Sequence, residues 1–435
     1  MDDKRIALRD LLAKSPADIA DVLRRLSTDE AAELLRRLML RRAAAEPLGE
    51  MEPEDSAELL QHLDQRQASE ILSRMDPDDA VDLLEELPSS VQDALLSGLS
   101  REDAEVLSDL LSYGSDTAGG LMTPEFVALT TDMTAETAIS LLRRRVEEAE
   151  TIYYVYATDG DGHLLGVVSL RDLALARPET RLDTLLERDV IAVSVTSDVE
   201  DVARMFGRYD YFALPVVDDE NTLLGIVTVD DVLDVIRSEA TEDIYGLEGV
   251  PSHERVDLRW TASWSMRLPW LYLRLLTAMA GAVVVGLFEE MIAKVAALAV
   301  LMGVIAGQGG SAGMQTVTIL TRAMALGELE RGSGCRLLAK ELLLGAINGL
   351  LIGATVGAVM YVWKGQLMLG VAAFLAMLLN LIVAGAMGVM IPLGVRFLGK
   401  DPALVSGILL TTVTDVVGFG FVFLLARALL SGMVR

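Results

Sequence analysis

The chain has 435 residues, room for about two to four domains, and 64 acids against 37 bases give a formal net charge of −27. Such an acidic surplus excludes nucleic acid as a natural partner, because phosphate binding needs a positive footprint, and it leaves plain solubility or cation binding. A single cysteine, Cys335, excludes a disulfide framework and a cysteine-based zinc site.

The charge is unevenly placed. Residues 1–257 hold 57 acids and 24 bases, a net of −33, while residues 258–435 hold 7 acids and 13 bases, a net of +6. An acidic, soluble part therefore precedes an apolar, mildly basic one. His62, His163 and His253 show no metal-ligand spacing and read as surface or packing residues. Met1–Leu12 is charged and lacks an apolar core of signal-peptide length, so the first part is expected to stay in the cytosol.

In chain order, residues 1–120 predict an all-α helical-repeat domain. Amphipathic units recur at Pro16–Leu26, Asp29–Leu38, Pro53–Leu63, Arg66–Met75, Pro77–Leu87 and Arg101–Leu111. Each begins with cap chemistry and carries leucines at helical spacing, so neighbours bury each other's apolar stripes. Residues 121–237 predict a duplicated α/β module. Leu164-Leu-Gly-Val-Val-Ser-Leu-Arg-Asp-Leu173 parallels Leu223-Leu-Gly-Ile-Val-Thr-Val-Asp-Asp-Val232, and Gly166 to Gly225 and Asp172 to Asp231 are both steps of 59 residues. Each copy is a strand, a Ser or Thr, then an Asp that opens a helix, and the pair resembles tandem CBS domains, a regulatory fold. Residues 238–266 predict an acidic, plug-like linker helix followed by a less ordered stretch around Pro251.

Residues 267–435 predict an α-helical transmembrane bundle of five helices: Pro269–Phe288, Met291–Ala306, Leu337–Trp363, Leu367–Pro392 and Ala403–Leu430. Gly345, Gly349, Gly353 and Gly357 fall on one helix face and permit close contact with a neighbour. The run Gly307-Gln-Gly-Gly-Ser-Ala-Gly-Met-Gln315 predicts irregular backbone lining a cavity or packed on protein. Arg322, Arg331, Arg336 and Lys340 follow the second span, and Arg396 and Lys400 the fourth. Glu289 and Glu290 follow the first span, and Lys364 alone follows the third. Positive-inside then places the N-terminal domains in the cytosol and the C-terminus outside a cell (inner) membrane.

Asp415 is the most informative residue. It stands in the middle of the last apolar segment, where a carboxylate costs at least about 2.5–3.5 kcal/mol to insert, with no evident basic partner. A packing acid kept neutral is one reading. A cation site is the other, with Thr411, Thr412 and Thr414 adding hydroxyls suited to a hydrated ion. Mg²⁺ sheds water reluctantly and is commonly held through its waters by one or two carboxylates.

Pro269-Trp270-Leu271, Gly310–Gln315, Arg322-Ala-Met-Ala-Leu-Gly-Glu328, Lys340-Glu341 and Asp401-Pro-Ala…Thr411-Thr-Val-Thr-Asp415 resemble the MgtE family of magnesium channels. The order of parts does too, including Met122-Thr-Pro124 at the entry to the CBS pair. Two departures are Ser311, where the family usually has Asn, and Leu301-Met-Gly303, where it usually has Pro. The resemblance implies a homodimer in the lipid bilayer with a pore on its two-fold axis, and Asp415 as the acid that recognises hydrated Mg²⁺. It also implies regulatory Mg²⁺ at Asp78, Asp79, Asp82, Asp198, Glu200, Asp210, Asp231, Asp234, Glu239, Glu242, Asp243 and Asp401, with Asp230 beside them. Crowded carboxylates repel, and divalent ions that bridge them favour a compact, closed state. Ser169 with Asp172, and Thr228 with Asp231, are candidate contacts for ATP or another adenine nucleotide, although the fold needs the same residues as helix caps. No phosphate-binding loop, nucleophile–base pair or cofactor motif marks an enzyme. The competing reading is a membrane-anchored sensor whose helices only anchor and dimerise, which would need no Asp415.

Overall fold

Short capped helices build the first part of the computed structural model, which describes residues 8–145, 149, 151–252, 254–256, 258–325, 329, 332 and 334–430. His253, Glu328 and Arg331 lie outside the described residues. The helices are α1 (Leu8–Leu11), α2 (Pro16–Arg25), α3 (Thr28–Met39), α4 (Ala45–Gly49), α5 (Pro53–Gln61), α6 (Gln65–Leu72), α7 (Pro77–Glu85), α8 (Ser89–Leu96) and α9 (Arg101–Leu110). Ser15, Asp64 and Ser100 accept a backbone N–H at the starts of α2, α6 and α9, and Pro16, Pro53 and Pro77 begin helices where the missing N–H costs nothing. Leu23, Leu35, Leu60, Leu72 and Leu84 are buried together, so the leucine stripes do face one another. Three helices, α1, α4 and α8, escape the sequence reading, because four, five and eight residues are too short to show a helical period.

The second part carries two small sheets. Strands β1 (Ala128–Leu129), β2 (Tyr154–Thr158) and β3 (Leu164–Ser169) form one, with α10 (Ala135–Arg145) and α11 (Leu170–Leu175). Strands β4 (Val193–Ser194), β5 (Ala213–Val217) and β6 (Leu223–Thr228) form the other, with α12 (Val199–Tyr209) and the start of α13 (Val229–Glu248). In each sheet the first pair is parallel and the second antiparallel, with Ala157 opposite Gly166 and Val216 opposite Gly225. The repeated glycine has a steric cause. A Cβ at Gly166 would lie 2.5 Å from the Glu187 carbonyl oxygen, and one at Gly225 would lie 2.8 Å from that of Thr123. Leu214, Val216 and Val227 join the core of the helical part, whereas the first module has its own core around Val155, Val168 and Leu173.

The chain divides into two compact units, Met1–Ile236 and Arg237–Arg435. In the second, five helices are long and apolar enough to cross a membrane: α14 (Trp260–Leu287), α16 (Ala297–Ala325), α17 (Gly334–Lys364), α18 (Leu367–Phe397) and α19 (Pro402–Leu429). A short α15 (Glu289–Lys294) carries Glu289 and Glu290. The first span starts at Trp260, nine residues ahead of its expected start, and Pro269 sits inside it. Arg322, Arg336 and Arg396 lie in the end turns of helices and Lys340 in the second turn of α17, from which long side chains can reach a headgroup layer.

One expectation is overturned. Gly307–Gln315 is not irregular backbone but the middle of the continuous helix α16. No proline interrupts it, and two of its glycines, Gly309 and Gly313, serve close packing. A Cβ at Gly313 would stand 2.7 Å from Leu410, and one at Gly309 would collide with Asn380. The glycine face of α17 packs on α18 as expected. Added Cβ atoms at Gly345, Gly349, Gly353 and Gly357 would stand 2.6, 2.9, 2.9 and 2.8 Å from the backbone of Leu381, Leu378, Phe374 and Gly370.

Candidate ion path and acidic cation sites

Asp415 lies on α19 and is half-buried. Gly281 of α14 comes against it, so that a Cβ there would sit 3.7 Å from Asp415 Cβ and 3.3 Å from Phe419. No charged group and no hydrogen-bond donor among the described residues acts on its carboxylate. Thr411 and Thr412, one turn earlier, are half-buried, and their hydroxyls donate back to carbonyls: Thr411 to Gly407 at 3.0 Å and Thr412 to Ile408 at 2.7 Å. Their oxygen lone pairs stay free for the outward-pointing hydrogens of a hydrated cation. Thr414 does not belong with them. It is fully buried, donates to Leu410 at 3.0 Å, and packs near Gly309 of α16.

In the first unit three of the expected acids come together. Asp79 and Asp82 of α7 share their surroundings with Asp231 of α13. Burial first, then Asp76, Asp231, Asp82 and Glu50, push Asp79 up to about 7. Burial, then Glu85, Asp231 and Glu86, push Asp82 up to about 7, although one side of it still meets solvent. Asp231 rises to about 6 through burial, Asp230 and Asp234, against the lowering effect of the Thr228 hydroxyl. The charged groups acting most strongly on the three are all acids. Hard oxygen donors crowded in this way suit a divalent cation. Asp78 is buried on the same helix.

Three expected ligands of the same unit, Asp198, Glu200 and Asp210, lie instead on α12. Asp198 caps α12, accepting from the Glu200 amide at 2.9 Å, and Glu200 pairs with Arg204 at 3.8 Å. Asp210 ends the same helix in a left-handed conformation, φ 55°. Asp198 and Asp210 are twelve residues apart, about 18 Å at helical rise, so these three do not form one site within a chain. In the second unit, Glu242 and Asp243 stand one turn before Gly246. That glycine packs on the start of α19, where a Cβ would be 3.3 Å from Ala403. Glu239 lies a turn further back on α13, and Asp401 caps α19 by accepting from the Ala403 amide at 2.8 Å.

Sequence reading missed Asp76, Glu46, Glu50 and Glu125, which surround the cluster. It also missed an exposed stacked pair, Tyr153 and Phe212, 4.9 Å between ring centroids. These two stand 59 residues apart, the spacing of the repeat, and that arithmetic would have found them. They border the capping pairs: the Leu170 amide donates to the Tyr153 carbonyl and the Val229 amide to that of Phe212. Ser169 donates to Asp172 at 2.6 Å, and Thr228 donates to Asp231. Against the expectation for His163, the ligand atoms of Asp159, Asp161 and His163 all lie within 4.8 Å of one another, a spacing that could hold a metal ion, and His163 Nδ1 lies 2.9 Å from Asp159 Oδ2.

Comparison with known proteins agrees with this arrangement. Residues 14–116 match the MgtE intracellular N domain, residues 118–179 and 183–238 match CBS domains, and residues 302–425 match the MgtE divalent cation transporter family. The magnesium transporter MgtE of Thermus thermophilus is 41% identical over 326 residues, 74% of this chain and 72% of that protein. The Enterococcus faecalis magnesium transporter MgtE is 40% identical over 309 residues, 71% of this chain and 68% of that protein. A crystal structure of the cytosolic domain of the Mg²⁺ channel MgtE in complex with ATP superposes with a TM-score of 0.50 and 40% identity. It covers 52% of this chain and 93% of its own. Helical domain, CBS pair and membrane helices thus match in the order found here, and the chain belongs to the MgtE family.

Proposed function

We propose that the protein is a Mg²⁺ channel. It admits Mg²⁺ to the cytosol down its electrochemical gradient and closes when Mg²⁺ occupies its cytosolic acids. Asp415 carries this reading: a carboxylate in a membrane-spanning helix, without a counter-charge among the described residues, one turn from hydroxyls that donate to the backbone and keep lone pairs to accept. The relatives named as magnesium transporters support the choice of ion. One chain supplies a single such acid in α19, so a homodimer with its axis near α19 is the assembly that fits a hydrated ion held by two carboxylates. Bases at the ends of α16, α17 and α18 support cytosolic N-terminal domains and an external C-terminus.

For closing, Asp79, Asp82 and Asp231 would hold regulatory Mg²⁺ with Asp78 and Asp234 near them. Glu239, Glu242, Asp243 and Asp401 form the second group, and Asp198, Glu200 and Asp210 act only across chains or as caps. Bound Mg²⁺ supplies charge neutralisation to carboxylates that otherwise repel.

An adenine nucleotide is a further ligand of the CBS pair. The ATP complex of the related cytosolic domain supports it, and so does the exposed Tyr153–Phe212 stack beside Ser169, Asp172, Thr228 and Asp231. The main reading is tested by Mg²⁺ uptake into liposomes. Asp415→Ala is expected to abolish uptake while the protein still assembles, and normal uptake through that variant would remove Asp415 from the ion path.

A further inference from the structure

Asn380 of α18 is fully buried where α16, α18 and α19 meet. Its Nδ2 donates to the carbonyl oxygen of Ile305 on α16 at 2.9 Å. That carbonyl can only accept, which fixes the amide's orientation: nitrogen toward α16, oxygen elsewhere. Oδ1 is buried and has no hydrogen-bond partner among the described residues. The carboxamide is slotted between two glycines. A Cβ at Gly309 of α16 would collide with Nδ2 and stand 3.2 Å from Cγ. A Cβ at Gly418 of α19 would stand 3.0 Å from Oδ1, 3.1 Å from Cγ and 3.1 Å from Nδ2, so Gly418 lies flat on the face of the amide.

Packing alone does not call for this arrangement. A leucine of similar size would fill the slot and leave no buried acceptor unsatisfied. What the amide adds is direction: a planar group pinned at one end to the α16 backbone and pressed on its face by α19. Gly418 is three residues beyond Asp415, one helical turn, so the register of α19 at Gly418 is also the register of the Asp415 carboxylate.

We infer that Asn380 is a positioning residue for ion recognition, which holds α19 against α16 so that Asp415 meets the hydrated cation at one depth. The inference rests on the reading of Asp415 as the ion-binding acid. Removing the plate leaves α19 free to shift by a fraction of a turn, and loosening recognition groups by about 1 Å is enough to lose roughly tenfold or more in discrimination.

The test uses the full chain in liposomes. Initial Mg²⁺ uptake is measured against external Mg²⁺, with and without competing Ca²⁺, for Asn380→Ala, Gly418→Ala, the double variant and Asp415→Ala. Uptake is normalised to folded protein. Asn380→Ala is expected to raise the half-saturating Mg²⁺ concentration and to lower discrimination against Ca²⁺ by about tenfold. Gly418→Ala should do the same by pushing on the amide. In the double variant the new methyl enters the space the amide leaves, so the two effects should be less than additive. If both single variants keep the wild-type half-saturation and discrimination, and only stability changes, Asn380 is a packing residue and the inference is wrong. If Asn380→Ala does not fold, Gly418→Ala decides alone. Normal uptake by Asp415→Ala would overturn the ion-site reading and this inference with it. Lost uptake by Asp415→Ala, with unchanged discrimination in the other variants, would overturn the inference alone.

Discussion

Replacing Asp79 by Asn tests whether the acid cluster is a cation site. Burial and neighbouring carboxylates hold Asp79 at about 7 against an ordinary 3.8. At about 1.4 kcal/mol per pKa unit, keeping it ionised at pH 7 costs the folded chain at most about 4 kcal/mol. Water entry and rearrangement reduce that figure, so a gain of about 1–3 kcal/mol is expected for the neutral side chain in Mg²⁺-free buffer. Asn keeps the shape that fits beside Gly49. With saturating Mg²⁺ the order should narrow or reverse, because the wild type gains a ligand that the variant holds less well. Denaturant unfolding of the full chain in detergent, with Na⁺ added to match ionic strength, separates specific binding from screening. The reasoning fails if Asp79→Asn is the less stable protein without Mg²⁺, or if Mg²⁺ stabilises both proteins equally.

The pH dependence has an unusual sign. The folded-state values of Asp79, Asp82 and Asp231 lie above the ordinary 3.8, so between about 4 and 7 the folded chain holds more protons than the unfolded one. Their contribution is fully present below about 4 and is lost as pH rises through about 6 to 7. Mg²⁺-free protein should therefore become more stable from pH 7.5 to pH 6, by up to about 1.4 kcal/mol per pH unit for each proton taken up, and saturating Mg²⁺ should flatten the profile. In the membrane part, a Cβ at Gly349 would stand 2.9 Å from Leu378 Cα, where about 3.5–4.0 Å is normal, so Gly349→Ala should cost about 1–3 kcal/mol and lower the melting temperature. If nucleotide stacks on the exposed aromatic pair, Phe212→Ala should weaken ATP binding by about tenfold in calorimetry. Absence of ATP, ADP and AMP binding at millimolar levels would remove nucleotide from the account.

Much of the fold is legible in the sequence because its signals are periodic. Leucine stripes mark α2, α3, α5, α6, α7 and α9, the step of 59 residues marks the two modules, and apolar length marks the spans. Helices α1, α4 and α8 have too few turns to declare a period. Glycine at Gly309 and Gly313 has two physical meanings, backbone freedom and close approach, and only the partners Asn380 and Leu410 decide between them. Asp415 is visible because an acid stands out in an apolar run. The cluster of Asp79, Asp82 and Asp231 is only half visible: Asp79 and Asp231 lie 152 residues apart, and Glu46, Glu50, Asp76 and Glu125 gather around them through tertiary packing. Thr414 shows the limit at one residue, since adjacency to Asp415 in sequence places it on the packed side of α19.

The central claim, a Mg²⁺ channel closed by its own cytosolic acids, is tested most directly by Mg²⁺ uptake into liposomes at stepped internal Mg²⁺. The wild type is compared with a variant in which Asp231, Asp234, Glu239 and Asp243 are neutralised. Neutralisation removes repulsion, which favours closing, and removes ligands, which favours staying open. Loss of ligands should dominate, because each bridge ties two elements while repulsion is screened within a Debye length of about 8 Å. Uptake by the wild type should fall as internal Mg²⁺ rises, and the variant should conduct equally at low internal Mg²⁺ but close only at higher levels. If the variant closes at the same internal Mg²⁺ as the wild type, these four acids are ordinary surface charge and do not sense the ion.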